Sequence, residues 1–182
     1  GGTLVLISLS KEKNIFLILM VALNPIFWIY SGRAYAELLS IGLMLPHQPF
    51  IARKKDYEKY EGKVGFPKVP AEVLEDCHPY IKWWRERTGI EQVTDEEIMR
   101  CRIAYWALVD RMDVMIGQIF TSLRENGLED NTLIVYMSDH GEQVGEHGLW
   151  WKQTFYEDSV KVPAILAWLG HLPENIRCEK VI

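Results

Sequence analysis

The feature that most constrains the fold is a long amphipathic pattern, followed by a turn and then an apolar strand pattern. Apolar residues recur at helical spacing through residues 98–123, which predicts one long helix with a single apolar face. Thr94 and Glu97 have the spacing of a capping box at its start. Asn126-Gly127 provides the left-handed stop that ends many helices. We therefore predict a helix with well-defined ends, whose aromatic and methionine stripe belongs to the core.

The residues after this helix predict a strand that leads into a polar turn. Residues 132–137 are apolar and rich in strand-forming residues, and a second strand is predicted at 162–168. A helix, a short turn and a strand form the αβ half of a βαβ unit, so we predict an α/β fold. In open α/β sheets, ligands bind beyond the carboxyl ends of the strands. Ser138, Asp139 and His140 follow the first strand at that position.

Length and composition predict one folded domain and argue against two classes of function. The 182 residues, 48% of them hydrophobic and 25% charged, suffice for a single core. A net charge of −5 argues against nucleic-acid binding, which normally needs a basic surface. Cys77, Cys101 and Cys178 form no CxxC pair, which argues against a zinc knuckle or a disulfide framework. These cysteines favour a reducing compartment such as the cytoplasm, with a periplasmic or membrane-associated location as the alternative.

The N-terminal residues are apolar and allow two interpretations. Residues 15–23 form an uninterrupted apolar run, Asn24-Pro25 breaks it, and residues 26–30 are again apolar. A membrane-spanning helix needs about 20 consecutive apolar residues without a helix breaker. Buried strands of an α/β core and a membrane contact through residues 15–30 therefore both stay open. Because the chain starts with Gly1-Gly2 and not with methionine, we expect a processed protein or a fragment.

Residues 46–93 are rich in proline, lysine and aromatic residues. Prolines at this density predict a long irregular excursion over the surface, which packs through its aromatic side chains. Long loops in compact domains are usually functional. His47 stands in this segment between Pro46 and Pro49, which restrict the backbone around it. It is either a structural or a catalytic histidine.

Asp139-His140-Gly141 is the candidate metal motif. Carboxylate and imidazole groups are ligands for divalent cations. Side chains of adjacent residues face opposite ways in a strand, so only a sharp bend, which Gly141 permits, would bring both to one ion. The alternative is that Asp139 caps the following turn and that His140 is a surface histidine.

Lys152 follows Trp150-Trp151 and is the candidate anion-binding residue. Either its ammonium group points at an oxyanion, or its aliphatic stem covers the indole rings. His147 is either a further metal ligand or a residue that shapes the glycine-rich loop, which is the role we favour. Glu142 and Glu157 either orient the metal ligands through hydrogen bonds or are solvated carboxylates.

In this order the motifs resemble those of type I sulfatases of the alkaline phosphatase superfamily, in the branch of choline-sulfatase-like and phosphonate-monoesterase-like enzymes. The matching stretches are LPHQPF at 45–50, DNTLIVYMSDHG at 130–141, GEHGLW at 145–150, Lys152, and VKVP at 160–163. This collinear match covers roughly residues 41–182 and is far more specific than any single motif.

The resemblance implies a partial alkaline-phosphatase-like α/β/α sandwich, with a mostly parallel sheet and flanking helices. It implies that Asp139 and His140 bind the metal, and that Lys152 binds the sulfate or phosphate oxygens. His47 would contact the leaving group or the ester oxygens, so His47 and Lys152 are both candidate catalytic and substrate-binding residues. The implied cofactors are a divalent metal, with Ca²⁺ first and Mn²⁺ or Mg²⁺ as alternatives, and a formylglycine.

Two family features are missing from this sequence. It contains no Cys/Ser-x-Pro-x-Arg motif, from which formylglycine is made, and no paired aspartates near its N-terminus to complete the metal shell. We therefore divide the chain into an apolar segment, 1–40, and the C-terminal part of a sulfatase-type catalytic domain, 41–182. By this division the nucleophile region is absent.

The predicted function is metal-dependent hydrolysis of a sulfate ester by the complete protein, with a small anionic sulfate or phosphate ester as its binding partner. Hydrolysis of a phosphodiester or phosphonate monoester is the alternative within the superfamily. A truncated or degenerate non-catalytic paralogue is the alternative outside catalysis. We expect the 182-residue chain alone to be inactive, because two protein ligands hold a divalent cation weakly.

Overall fold

One four-stranded sheet forms the centre of the fold. The structure, a computed structural model, describes residues 15–21, 37–71 and 75–178. Its strands are β1 (Ile15–Val21), β2 (Glu37–Ser40), β3 (Thr132–Ser138) and β4 (Ala164–Ala167), arranged in the order β2-β1-β3-β4. The β1 strand runs parallel to both β2 and β3, whereas β4 pairs with β3 in the antiparallel direction. The predicted α/β class with a mostly parallel sheet is therefore confirmed.

Strands β1 and β3 end at the same edge of the sheet. Their register pairs Ile15 with Thr132 and Val21 with Ser138. Parallel strands place their carboxyl ends together, and this edge is where ligand sites form in α/β folds. Asp139 and His140 follow directly, as the sequence predicted.

The apolar N-terminal run contributes a paired strand to this sheet. Ile15–Val21 has partners on both sides, in agreement with the strand interpretation of these residues. Residues 22–30, the remainder of the segment considered for membrane contact, lie outside the described ranges. Within those ranges, no helix combines the length and apolar content that crossing a membrane requires.

In the described part of the chain, four α-helices with defined bounds accompany the sheet, and the longest is the one that the sequence predicts. They are α1 (Lys54–Tyr57), α2 (Pro79–Thr88), α3 (Asp95–Glu125) and α4 (Glu157–Val160). At the start of α3, Thr94 Oγ1 accepts a hydrogen bond from Glu97 N at 3.3 Å, and Glu97 Oε2 accepts one from Thr94 N at 2.9 Å. This capping box satisfies amide groups that would otherwise have no helical partner.

The end of α3 and its apolar face also follow the sequence pattern. Gly127 has a φ of 66°, and Leu128 N donates to Leu123 O at 3.0 Å, which closes the helix. Buried Ile119 and Leu123 pack against Ile134 and Tyr136 of β3. The C-terminal part of the apolar stripe of α3 is therefore core, and it fixes the helix over the strand that carries the candidate site.

The prediction that residues 46–93 are irregular was wrong for the second half of that segment. Helix α2 begins at Pro79, where His78 Nδ1 accepts a hydrogen bond from Tyr80 N at 3.2 Å. It ends at Gly89, whose φ is 68°. Proline at the first helical position and glycine just past the end are ordinary helix signals. The sequence analysis missed these helix signals because the segment is rich in prolines and aromatic residues.

Candidate functional site

The strand β3 delivers Asp139 and His140 into a turn that packs closely against α4. Gly141 N donates to Ser159 O at 2.7 Å. A Cβ atom at position 141 would lie 2.0 Å from Asp158 O, a distance that non-bonded atoms do not adopt. Glycine is required here because of this close approach of two backbones. The sequence analysis placed a bend at Gly141, and the structure shows the steric reason why a glycine stands there.

The imidazole of His140 has one hydrogen-bonding arrangement. Its Nδ1 lies 2.7 Å from Gly141 O, and because a carbonyl oxygen can only accept, Nδ1 carries the proton. Nε2 therefore presents a lone pair, which accepts a hydrogen bond from Lys152 Nζ at 2.6 Å. Asp139 Oδ2 lies 3.4 Å from the same Nε2. A carboxylate, an imidazole lone pair and an ammonium group thus meet at one point.

The positions of Asp139 and His140 fit two ligands of one divalent cation. Carboxylate oxygen and imidazole nitrogen bind such cations at roughly 2.0–2.4 Å, and two ligands at about a right angle are then separated by the distance seen between Oδ2 and Nε2. In residues 15–21, 37–71 and 75–178, no group of three or more His, Cys, Asp or Glu side chains is placed to hold an ion.

A single cavity contains all four residues that the sequence analysis selected. His47, Asp139, His140 and Lys152 line a cavity of about 760 Å³. His47 is exposed, and its Nδ1 lies 2.7 Å from Gln48 O. That nitrogen is therefore the protonated one, and Nε2 carries the lone pair. The fold brings His47, far away in sequence, to the same space as the Asp-His pair.

The cavity wall also contains groups whose ionisation is altered by burial. Burial raises the pKa of Tyr105 to about 12, and the nearby Glu142 and Tyr136 add to the shift. Burial likewise raises the pKa of the Glu142 carboxyl, although amide hydrogen bonds from Trp151 and Val144 oppose that shift. Glu142 thus fixes the backbone next to Lys152, and its hydrogen bonds go to backbone amides and not to Asp139 or His140.

His147 and Glu157 make contacts that suit the simpler interpretation of each. The His147 ring stacks on Tyr156 with centroids 4.2 Å apart, and its Nε2 lies 3.4 Å from Asp158 Oδ2. These contacts favour a role in shaping the loop. Glu157 pairs with Lys161 at 3.1 Å, and both side chains are largely exposed, as expected for a solvated carboxylate at the cavity rim.

Gln143 is a buried residue that sequence reasoning missed. It is fully buried, and its Nε2 donates to Thr154 Oγ1 at 2.6 Å and to Ser159 Oγ at 2.8 Å. Its backbone N donates to Trp151 O at 3.0 Å. Gln143 therefore ties the turn after His140 to residues 151–159, further along the chain. No sequence pattern signals contacts of this kind.

Arg102 of α3 is a second missed residue. Its buried guanidinium donates to Gly65 O at 2.9 Å and pairs with Glu146 at 2.9 Å, and it also donates to Val144 O. It thereby joins the glycine-rich loop to the helix and to the long surface excursion. The signal was present, because position 102 follows Ile98 by four residues on the apolar face of the helix.

Comparison with known proteins places these residues in a family context. The family model described as Sulfatase matches residues 36–181. The choline-sulfatase of Rhizobium meliloti (strain 1021) is 34% identical over 138 residues, which are 74% of this chain and 27% of that protein. Arylsulfatase K of Bos taurus is 34% identical over 112 residues, covering 60% of this chain and 20% of that one.

A solved structure gives the same result at the level of the fold. The phosphonate monoester hydrolase from Silicibacter pomeroyi superposes with a TM-score of 0.64 at 27% identity, and the alignment covers 80% of this chain and 30% of that one. The chain therefore spans less than a third of the length of these relatives. The partial α/β fold found here corresponds to part of their larger domains.

Proposed function

Because the chain belongs to the sulfatase family, we propose that it supplies the cation-binding and anion-binding part of a sulfuric ester hydrolase. One observation carries the proposal: His47, Asp139, His140 and Lys152 line the same cavity at the carboxyl edge of the sheet. The hydrolytic activity and its sulfate-ester substrate are proposed for the complete protein.

Asp139 and His140 are proposed as metal ligands. The family resemblance favours Ca²⁺, with Mn²⁺ or Mg²⁺ as alternatives. When bound, the cation would neutralise negative charge on the oxygens of the tetrahedral group. His140 is well suited to this role, because the Gly141 carbonyl holds its proton on Nδ1 and leaves Nε2 free of one.

Lys152 and His47 are proposed to act on the ester. The Lys152 ammonium group would bind sulfate oxygens through charge-assisted hydrogen bonds. The Nε2 lone pair of His47 would first take up a proton, and the resulting imidazolium would deliver that proton to the bridging oxygen as the bond to the alcohol breaks. These two residues bind charge and move a proton, and neither is the nucleophile. Sulfatases generally use a formylglycine, and its sequence motif is absent from these 182 residues.

Hydrolysis of a phosphodiester or phosphonate monoester is the second candidate, and the likeness to a phosphonate monoester hydrolase favours it. A cation, a lysine and a histidine suit a tetrahedral phosphorus centre as well as a sulfur one. Rates of the complete protein on matched aryl sulfate and aryl phosphate substrates separate the two. A truncated or degenerate non-catalytic paralogue would hydrolyse neither substrate.

Calorimetric titration of the chain with Ca²⁺ and Mn²⁺ tests the metal ligands. We expect a weak site, with a dissociation constant of about 10⁻⁴ to 10⁻³ M, that Asp139→Asn weakens at least about tenfold. Asp158→Asn is the matched control, because Asp158 lines the same cavity but pairs with His147. Equal binding by wild type and Asp139→Asn would show that Asp139 is not a ligand. Absence of binding in both would favour the non-catalytic paralogue.

Titration with inorganic sulfate, followed by amide chemical shifts, tests the anion-binding role. Lys152→Met should abolish measurable binding, whereas Lys161→Met, at the rim of the same cavity, should retain most of it. Equal losses in the two variants would indicate general attraction by positive charge and contradict a specific role for Lys152.

A further inference from the structure

We propose that Tyr105 and the apolar wall around it bind the alcohol part of the ester, and that this alcohol is aromatic or otherwise apolar and not a sugar. The inference rests on the proposed function, because Lys152 and the Asp-His pair fix where the anionic group lies. It adds a substrate-contacting residue on α3 and a chemical class for the group that leaves.

Two chain segments build this wall, and nearly all of their side chains are apolar. Helix α3 contributes Tyr105, Val109 and Met112 to the cavity, and their spacing places them on one face of the helix. Residues 43–46 contribute Leu, Met, Leu and Pro. Among these seven lining residues, the only side-chain polar atom that forms hydrogen bonds well is the Tyr105 hydroxyl.

Neighbouring aromatic residues hold the Tyr105 ring in place. Phe50 lies edge-on to it, with centroids 5.6 Å apart and an interplanar angle of 86°. Phe50 in turn lies 6.2 Å from the ring of buried Trp150. A preformed aromatic surface costs little conformational entropy when a second ring binds to it. The Tyr105 phenol is protonated at physiological pH, and burial raises its pKa further, to about 12, so it offers one hydrogen-bond donor without a charge.

The chemistry of this wall discriminates between two kinds of alcohol. A sugar carries several hydroxyl groups, and each one buried without a partner costs free energy. The seven wall residues offer one hydroxyl among them, so sugar hydroxyls that face this wall would lack partners; the polar side chains of the same cavity, such as Gln48, Glu157 and Asp158, are not among these seven. An aromatic ring needs no such partners and gains from the removal of apolar surface from water. The wall therefore favours an aryl or similarly apolar ester over a sugar sulfate.

The test compares the binding of small probes to the isotopically labelled 182-residue chain by amide chemical shifts. Phenyl sulfate should bind at least about tenfold more tightly than methyl sulfate, the ratio expected from burying one ring. Glucose 6-sulfate should bind no more tightly than methyl sulfate. Neutral anisole should compete with phenyl sulfate, because it occupies the wall without using the anion site.

Amino-acid substitutions show which residues cause the preference for phenyl sulfate. Tyr105→Ala should reduce the ratio of phenyl to methyl sulfate affinity to about one while methyl sulfate binding stays unchanged. The same change at exposed Tyr80, which packs against Trp83 outside the cavity, is the matched control. Val109→Asn provides a second disruption of the wall should Tyr105→Ala fail to fold, and it should also lower the ratio.

The outcomes separate this inference from the proposed function. The inference would be overturned if the wild-type chain bound phenyl sulfate and methyl sulfate equally well, or bound glucose 6-sulfate most tightly. This holds even if sulfate binding depends on Lys152. Conversely, anisole binding that Tyr105→Ala removes and Lys152→Met leaves intact would support the apolar wall. If anisole binds in this way but Lys152→Met leaves sulfate binding unchanged, the apolar wall is supported and only the proposed anion-binding role of Lys152 is contradicted.

Discussion

Lys152 Nζ lies 2.6 Å from His140 Nε2, so the ammonium group donates to the same lone pair through which His140 would bind a cation. One lone pair cannot serve both partners. A cation at His140 would therefore release Lys152 towards the cavity, where a sulfate oxygen is its natural partner. The two proposed roles of this pair are coupled through a single nitrogen atom.

Lys152→Met should therefore raise the affinity of the site for Mn²⁺ by about tenfold, since it removes both the competing donor and a nearby positive charge. Calorimetric titration measures the change. Lys161→Met is the control, because Lys161 lines the same cavity but pairs with Glu157. If both variants gain equally, charge alone explains the result and the shared lone pair does not.

Gly141→Ala should destabilise the protein by about 2–4 kcal/mol. The added Cβ would lie 2.0 Å from Asp158 O, and both atoms belong to backbone that cannot easily move. Gly117→Ala in α3 is the matched control, because a Cβ there meets nothing within 4 Å. Alanine in a helix should stabilise that position by up to about 1 kcal/mol. Urea denaturation measures the free energy of unfolding of both variants. Equal stability of the two would refute the steric argument.

Arg102→Ala should cost about 3–5 kcal/mol, because it leaves Glu146 and two carbonyl groups without their buried partner. Arg124→Ala makes the same chemical change at an exposed pair with Glu129, and solvent screening should leave stability almost unchanged. Thermal unfolding of the two variants gives the comparison. A small effect at Arg102 would mean that the glycine-rich loop does not depend on this helix.

Alkaline conditions should destabilise the folded protein through Tyr105. Its pKa is about 12 in the folded chain and about 10 when unfolded, so the stability contribution is complete below pH 10 and is lost as pH rises towards 12. The loss should reach about 2–3 kcal/mol. Tyr105→Phe cannot ionise and should lose less stability over this range in denaturation experiments. Parallel curves for the two proteins would show that Tyr105 is not buried as described.

The purified 182-residue chain should show no turnover of 4-nitrophenyl sulfate, because it has no formylglycine motif to supply the nucleophile. Release of 4-nitrophenol measures the activity. Robust hydrolysis by the chain, abolished in Lys152→Ala, would contradict this expectation and require a nucleophile among the residues present.

Local sequence signals predicted the elements of the fold well. Thr94 and Glu97 mark the start of α3, and Gly127 its end, because caps depend on residues three or four positions apart. Pro79 and Gly89 carried equivalent signals for α2, which the surrounding prolines and aromatic residues obscured. Periodicity and capping depend on residues that are close in sequence, so they can be recognised before the structure is known.

The site required more than local signals. The family resemblance selected His47 and Lys152, but the contact between Lys152 and His140 depends on the path of the loop between them. The partners of Gln143, Thr154 and Ser159, are hydroxyl residues of ordinary appearance in the sequence. Tertiary hydrogen bonds between distant residues leave no periodic pattern, which is why Gln143 was missed. Arg102 did carry a signal, its position on the apolar face of α3, but that signal does not name its partners.

The burial of Gln143 has a consequence for how a ligand is received. Its hydrogen bonds to Thr154 and Ser159, with its amide on Trp151, lock three stretches of chain around the cavity. Asp139 and His140 are then held in position by the folded chain before the ester binds. Charges that are already oriented save the ordering entropy of a flexible site. We expect the ester to bind to a rigid, preformed site in which the Lys152 ammonium group is the group that moves.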